Sequence, residues 1–291
     1  MTKIKAIGIG NCGGHAIYRC KKNELKNIEY LYISTVNSSR KYPLLGDSRK
    51  FLLNDATEIQ TCFKKDLLFF VEDADILFVI AGVGGDTSAE ILEQVSKIAN
   101  ENEILTINVI STPLISDTDY SIKKAEKDIK RLNKLFNNNC ISDSEKFYNI
   151  FSKYIEKSDS IKSIYEYANE VICRLISCFT YNDESMLGVE KADFKKLFSY
   201  KGTMLFSLGL ASGENGAISA AEAAIKEEQI NAQAVFVSVR GGENLTIHDT
   251  KEVGDLVNKK INDKTNVIIS VVVDESMPKD EIQVIIIATG C

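Results

Sequence analysis

Two short glycine-rich stretches hold the residues whose types and spacing can do chemistry. The first, Gly8-Ile9-Gly10-Asn11-Cys12-Gly13, fits GxGxxG between an apolar, β-branched run and a helical segment. Glycine permits a tight turn there and lets backbone N–H groups approach an anion at the start of the helix. The second, Gly82-Val83-Gly84-Gly85-Asp86-Thr87-Ser88, stands in the same place after a later apolar run. Two such turns in one sheet aim two helix N-termini at one anion, which suits a triphosphate better than a shared pyrophosphate. The competing readings stay open at this point. Each turn can be a tight chain reversal alone. The first can also be a dinucleotide fingerprint, which calls for an acidic residue about 20 positions on, at the end of the second strand. That strand ends in Ser34-Thr35-Val36-Asn37, and the acid is missing.

Other chemistries find little support. The two histidines, His15 and His248, do not make a metal centre or triad, and the seven cysteines are scattered with no CxxC pair. No metal-ligand set is expected, and a reduced, cytoplasmic chain is. Cys12 lies inside the first turn, where a positive helix end would lower its thiol pKa; a small side chain filling the turn is the plainer reading. Cys173 and Cys178 fall on or near an apolar helix face and read as core. The net charge of −6 is the wrong sign for a nucleic-acid partner, and no apolar run approaches the roughly 18 residues that span a membrane.

The elements that must position the two turns follow from periodicity. Lys3–Gly10, Ile28–Thr35, Ala74–Ala81 and Leu105–Ser111 read as strands, and Gly14–Asn23, Thr87–Asn100 and Ser121–Phe136 as helices. This alternation predicts a Rossmann-like, doubly wound parallel sheet with its ligand at the carboxyl ends of the strands. The stretch 137–160 is polar and poorly periodic. Ile161–Tyr181 carries Ile164, Tyr167, Ala168, Val171, Ile172, Leu175 and Ile176 at helical spacing and reads as one long helix joining two domains. Beyond it, Met204–Leu208, Ala234–Val239, Val267–Val273 and Ile282–Ile287 read as strands, with helices at Ala217–Glu228 and Thr250–Ile261. The expected division is therefore an α/β domain over 1–160, a central helix over 161–182, and an α+β domain with a four-stranded sheet over 183–291.

Taken in order, these blocks resemble the tubulin/FtsZ superfamily, closer to FtsZ than to tubulin. Ile7–Ala16 is similar to that family's first phosphate loop, and Ala81–Ala89 stands at its GGGTGTG signature. Ile110-Ser111-Thr112-Pro113-Leu114 matches the strand and loop that follow. Tyr165 and Asn169 match the aromatic and amide positions that hold guanine; at i, i+4 they share one helix face. Leu210–Glu214, Gly241–Thr246, Asp274–Ser276 and Ile287–Gly290 resemble FtsZ blocks in the same order, so the likeness covers nearly the whole chain. The resemblance implies a GTP/GDP-binding protein that polymerises head to tail with copies of itself. Nucleotide would contact Gly8, Gly10, Asn11, Cys12, Gly13, His15, Gly82, Gly84, Gly85, Asp86, Thr87, Ser88, Asp117, Tyr165 and Asn169. A loop of the next subunit would supply the carboxylates that position water.

Several positions depart from that family. FtsZ carries Asn-x-Asp-x-x-Asp after the long helix; here Asp193 matches the middle acid, while Lys191 and Lys196 stand at the other two positions. An ammonium cannot accept a proton, so it cannot orient water as a carboxylate does. It can pair with a phosphate as a point charge. Glu190 is a substitute carboxylate within reach in sequence, and Lys195–Lys196 also fit a plain solvated face. Asp86 replaces a glycine of the signature, which repels a triphosphate unless Mg²⁺ bridges the two. Asp117 fits the ribose-binding acid, shortened from Glu. Ser121 replaces an arginine, Ser34 replaces an asparagine with Thr35 kept, and His15 takes an asparagine position at the start of the first helix. The linker and adaptor-binding peptide with which FtsZ usually continues are not in this sequence, so direct membrane contact by that route is not expected. A weak GTPase of the cytoskeleton, serving cell division or a related role, is the leading expectation. The alternative is a non-hydrolysing module that co-polymerises with a complete FtsZ.

Overall fold

The computed structural model describes residues 2–36, 49–114, 116–142, 161–180, 189, 191–226, 229 and 231–291. Asn37, Gly188 and Glu190, and most of the polar stretch up to 160, lie outside the described residues. The chain forms two compact units, residues 1–180 and 181–291.

The first unit runs β1 (Ile4–Ile9), α1 (Gly10–Lys22), β2 (Ile28–Thr35), β3 (Arg49–Leu53), α2 (Glu58–Thr61), α3 (Lys64–Val71), β4 (Ile76–Gly82), α4 (Ser88–Glu101), β5 (Thr106–Ser111), α5 (Asp119–Leu135), β6 (Asn139–Ser142) and α6 (Ile161–Thr180). Its six strands are all parallel, in the order β3-β2-β1-β4-β5-β6. This is the doubly wound order, and its direction reverses between β1 and β4. β1, β4 and β5 are buried along their lengths because helices cover both faces of the sheet, which is why they read as unbroken apolar runs. Ile7, Ile9, Leu31, Ile33, Leu77 and Val79 pack with Ile91, Leu92 and Val95 of α4.

The opposite face takes α1 and α6. Along α6, Ala168, Val171, Ile172, Leu175, Ile176 and Phe179 are buried at helical spacing, and Phe179 meets Phe78 of β4 edge-on at 5.3 Å. Glu170 ties α6 to α1: it accepts from Arg19 Nε at 2.7 Å and Asn23 Nδ2 at 3.2 Å, and from Arg174 Nε of its own helix at 3.2 Å. Burial pushes the Glu170 carboxyl up; the two guanidiniums and Asn23 outweigh it and leave the group below its ordinary value.

Four elements of this unit escape sequence patterning, namely β3, α2, α3 and β6. β6 falls inside the stretch read as polar and aperiodic. Its Asn139 is buried within a chain of side-chain hydrogen bonds. Ser96 Oγ donates to Asn108 Oδ1 at 2.7 Å, Asn108 Nδ2 to Asn139 Oδ1 at 2.8 Å, and Asn139 Nδ2 to Asn133 Oδ1 at 2.9 Å. Inward-facing amides erase the apolar alternation by which a strand is recognised.

The second unit runs α7 (Lys191–Leu197), β7 (Leu205–Ser212), α8 (Gly216–Ala224), β8 (Ala234–Gly241), α9 (Ile247–Lys260), β9 (Asn266–Val273) and β10 (Glu281–Thr289). Its four-stranded sheet has the order β7-β10-β8-β9, with β10 antiparallel to both neighbours and β8 parallel to β9. Val235, Val237, Val239, Val284 and Ile286 pack under Ala217, Ala220, Ala221 and Ala224 of α8 and Val253 and Val257 of α9. The alanines let α8 ride close to the sheet, and Gly209 is the contact point: a Cβ there would lie 1.8 Å from the Ala220 carbonyl oxygen. α9 starts three residues before its predicted start, at a capping box in which Thr246 and Asp249 bond reciprocally. Lys191–Leu197, read as loop, is helical, with Asp193 in its first turn and Lys195 and Lys196 in its last.

At the amino end of β1, Lys5 is buried. Its ammonium donates to the Phe70 carbonyl at 2.6 Å and pairs with Asp73 and, at 3.6 Å, Glu29. Hydrogen bonds from Lys5 and then Lys3 hold the Asp73 carboxyl down at about 2 against an ordinary 3.8. A carboxyl depressed in the folded state stabilises fully above its unfolded value and loses that contribution as pH falls through the folded one. Asp73→Asn is therefore expected to lower the urea midpoint at pH 7. The difference from wild type should shrink below pH about 4 and vanish near pH 2.

Candidate functional site

A cavity of about 500 Å³ opens over the carboxyl ends of β1, β4 and β5, at the point where the strand order reverses. Gly10, Asn11 and Cys12 line one side and Gly82–Ser88 another, with Thr35, Ser111–Pro113, Asp117, Ser121 and Tyr165 completing the wall. A second cavity of about 620 Å³ shares Asn11, Cys12, Ser111 and Tyr165 with it and adds His15, Glu166, Ala168 and Asn169. Each is of the size that holds small ligands.

The two glycine turns interlock. A Cβ on Gly10, whose φ is +65°, would meet Ser88 Oγ at 2.7 Å, and a Cβ on Gly82 would meet the Cys12 side chain at 2.9 Å. Gly84, at φ +90°, packs against the Ser121 carbonyl oxygen, where a Cβ would come within 2.5 Å. At Gly85 a Cβ would meet open space. Gly8 and Gly13, by contrast, do not line either cavity. They face each other across the β1–α1 junction: a Cβ on Gly8 would lie 2.4 Å from the Gly13 carbonyl oxygen, and one on Gly13 would lie 2.3 Å from that of Ile80. They bring the helix down onto the sheet so that Gly10–Cys12 can face the cavity.

α1 begins at Gly10, four residues before the predicted start, so the glycine motif is itself the first turn of the helix. His15 consequently sits in the second turn, on the wall of the second cavity, and not at the helix terminus. Cys12 fits the plainer reading, a small side chain filling the turn. Burial pushes its thiol up, a hydrogen bond with Ser111 opposes this only in part, and the positive helix end does not make it a thiolate.

The remaining polar groups come from strand ends and α6. Asp117 Oδ2 accepts from the Leu114 backbone N–H at 2.9 Å and from Tyr165 Oη at 3.5 Å. Burial first, then the Asp117 carboxylate, push the Tyr165 hydroxyl up, so the ring stays neutral. Tyr165 is 41% exposed, which leaves its ring available for stacking. Thr118 caps α5 by accepting from Ser121 N–H at 3.2 Å. Thr35 lines the cavity, while Ser34 is buried within β2. Sequence patterning did not select Val83, Thr112, Pro113 or Glu166; the recoverable signal was their position at strand ends or beside Tyr165. Asp193 and Lys196 stand in α7 of the second unit, with Lys196 exposed and its carbonyl accepting from Ser199.

Among the described residues no lysine or arginine lines either cavity, whereas Asp86, Asp117 and Glu166 do. An anion there must rely on backbone N–H groups and the helix starts at Gly10 and Ser88.

The comparisons with known proteins agree with this fold. Residues 202–291 match the FtsZ family, C-terminal domain. An empty FtsZ dimer from M. jannaschii superposes with a TM-score of 0.84 at 20% identity, over 100% of this chain and 88% of that one. CetZ2 from Haloferax volcanii, solved as a GTPγS-bound protofilament, gives 0.77 at 16% identity, over 99% and 93%. CetZ from Methanosaeta thermophila gives 0.73 at 15% identity, over 100% and 87%. A parallel Rossmann-like sheet followed by this second, mixed four-stranded sheet is the fold of the tubulin/FtsZ superfamily. The chain thus shares the fold of these FtsZ and CetZ structures, and its residues 202–291 match the model of the FtsZ C-terminal domain. No helix among the described residues is long and apolar enough to cross a membrane.

The glycine contacts can be tested directly. Gly84→Ala should cost about 1–3 kcal/mol, because it combines a left-handed backbone with a clash against the Ser121 carbonyl. Gly85→Ala should stay within about 0.5 kcal/mol. Urea unfolding of the two variants against wild type reads the difference.

Proposed function

We propose that this chain binds GTP or GDP in the paired cavities over β1, β4 and β5 and assembles head to tail with copies of itself into filaments, hydrolysing GTP slowly. The observation that carries this reading is the interlocked pair of glycine turns at the sheet's reversal point, opening onto a second, largely apolar cavity walled by Tyr165 and Asn169. A triphosphate fits the first cavity, where Gly10–Cys12 and Gly82–Ser88 offer backbone N–H groups at two helix starts. A purine fits the second, with Tyr165 to stack on and Asn169 to hydrogen-bond its edge. With carboxylates and no lysine or arginine among the described residues that line the cavities, the nucleotide is expected to enter with Mg²⁺.

Slow turnover follows from α7. The resemblance to FtsZ puts the loop that serves the neighbouring subunit's nucleotide at Lys191–Lys196, and here two of its three polar positions are lysines. Asp193 is the one retained carboxylate. Lys196 is exposed and suits a phosphate contact better than proton acceptance. The exposed Lys195 and Lys196 also favour a second reading, a module that joins or regulates filaments of a complete FtsZ without turning over nucleotide.

Sedimentation and phosphate release, measured together with GTP and with a non-hydrolysable analogue, test the proposal. Pelleting with both, and phosphate release well below FtsZ-like rates with GTP, are expected. Absence of saturable binding of labelled GTP in the presence of Mg²⁺ would remove the nucleotide reading and leave the module. Lys196→Asp should raise phosphate release about tenfold or more under pelleting conditions, by restoring a proton acceptor.

A further inference from the structure

We infer that the lysine face of α5 docks on the sheet end of the second unit in another copy of this chain, a contact between subunits that needs no nucleotide. It goes beyond the head-to-tail reading above and does not rest on it. Lys123, Lys127, Lys130 and Lys134 are spaced by four, three and four residues, so they share one face of α5, and all four are exposed. Among the described residues none of them has an ion-pair or hydrogen-bond partner. The cations beside them do: Lys124 pairs with Asp128 at 3.5 Å and Arg131 with Glu93 at 3.1 Å. Ala125, Asp128 and Leu132 are the buried residues of the helix. At about 1.5 Å per residue the lysine row is about 16 Å long.

The complement lies in the same chain. Residues 181–291 hold 17 Asp and Glu against 11 Lys and Arg, so the second unit carries the whole net charge of −6. One end of its sheet gathers a glutamate from each strand. The register sets Glu281, the first residue of β10, opposite Ser212, then Ile282 opposite Gly241 and Gly241 opposite Val273. Glu214, Glu243 and Glu275 follow the last residues of β7, β8 and β9 at that same end. In strand order the row runs Glu214, Glu281, Glu243, Glu275, across three strand spacings or about 14 Å. Glu281 is half-buried and the other three are exposed. Glu243 pairs with Lys279 at 2.6 Å, while Glu214, Glu275 and Glu281 have no ion pair among the described residues. The lysines along the helix and the glutamates across the sheet end therefore match in number, length and sign. A chain of this net charge is repelled as a whole by an anionic lipid surface, which favours a second copy as the occupant. An exposed ion pair contributes little by itself, so the contact is weak, sensitive to salt and dependent on several pairs together. Because the two patches differ, it is heterologous and can extend beyond a dimer.

Sedimentation velocity of the full chain without nucleotide, at about 25 mM and about 300 mM salt, tests the contact. Wild type should associate with rising concentration at low salt, and its apparent dissociation constant should increase about tenfold or more at high salt. Lys127→Glu combined with Lys130→Glu should abolish association, as should Glu214→Lys combined with Glu275→Lys. Mixing these two double variants should restore it, since each presents the sign that the other lacks. Lys259→Glu combined with Lys260→Glu on α9 changes the net charge as much as the α5 variant does, away from the stripe, and should associate like wild type. Melting temperatures equal to that of wild type show that the variants are folded. A wild type that stays monomeric at low salt, association indifferent to salt or to either reversal, an α9 control that fails to associate, or a mixture that stays dissociated would each overturn the inference. Lysine-dependent cosedimentation with phosphatidylserine vesicles, by a chain that does not associate with itself, would give the face to an anionic membrane instead. No nucleotide enters these measurements, so their failure leaves the proposed function standing, and failure to bind GTP leaves this contact standing.

Discussion

The site depends on backbone meeting backbone without side chains between. Gly8 faces Gly13, Gly13 faces the Ile80 carbonyl, and the spacing at each contact leaves no room for a Cβ. This draws the start of α1 down onto β1 and β4. Once α1 is seated, Gly10 reaches Ser88 and Cys12 reaches Gly82, so the two turns hold each other. The helix starts that face the cavity are thus positioned by the sheet's central pair of strands, among the most buried parts of the unit. A floor anchored in the core can hold an anion without reorganising, which is what a backbone cradle needs in order to act through oriented dipoles.

α6 completes the arrangement from the other side. Its buried stripe lies on the sheet beside α1, and Glu170 binds Arg19 and Asn23 of α1 while Arg174 braces it from within α6. One turn away on the same helix, Tyr165 and Asn169 reach the cavities. The ion pairs that fix the helix and the residues that face the ligand therefore share one rigid rod, so anything that loosens the first displaces the second. The second unit is built on the same economy of small residues, with an alanine helix seated against Gly209.

Charge sets the character of the site. Dipoles and N–H groups attract phosphate, and the carboxylates on the wall oppose it. Such a balance would make the binding of any anion there responsive to a divalent cation.

Much of this was legible in the sequence. The long apolar runs of β1, β4 and β5, both glycine turns, the stripe of α6 and the ordered blocks of the second unit were enough to predict a doubly wound sheet, a second four-stranded sheet and the likeness to the FtsZ fold. Those features are local, and periodicity and turn chemistry are local properties. Other features needed the folded chain. β6 hides its strand character because Asn139 and Asn108 satisfy each other across strands. α1 starts at Gly10 because contacts with Ile80 and Ser88, far away in sequence, hold the glycines in place. Burial, which no spacing records, decides that Cys12 keeps its proton. The sequence by itself determined which residue types stand at the strand ends. Only the tertiary structure decided that Gly8 and Gly13 pack while Gly10 and Gly82 face the cavity, and that Asp117 is engaged by the Leu114 N–H and the Tyr165 hydroxyl, because both depend on which distant atoms come within van der Waals or hydrogen-bonding reach.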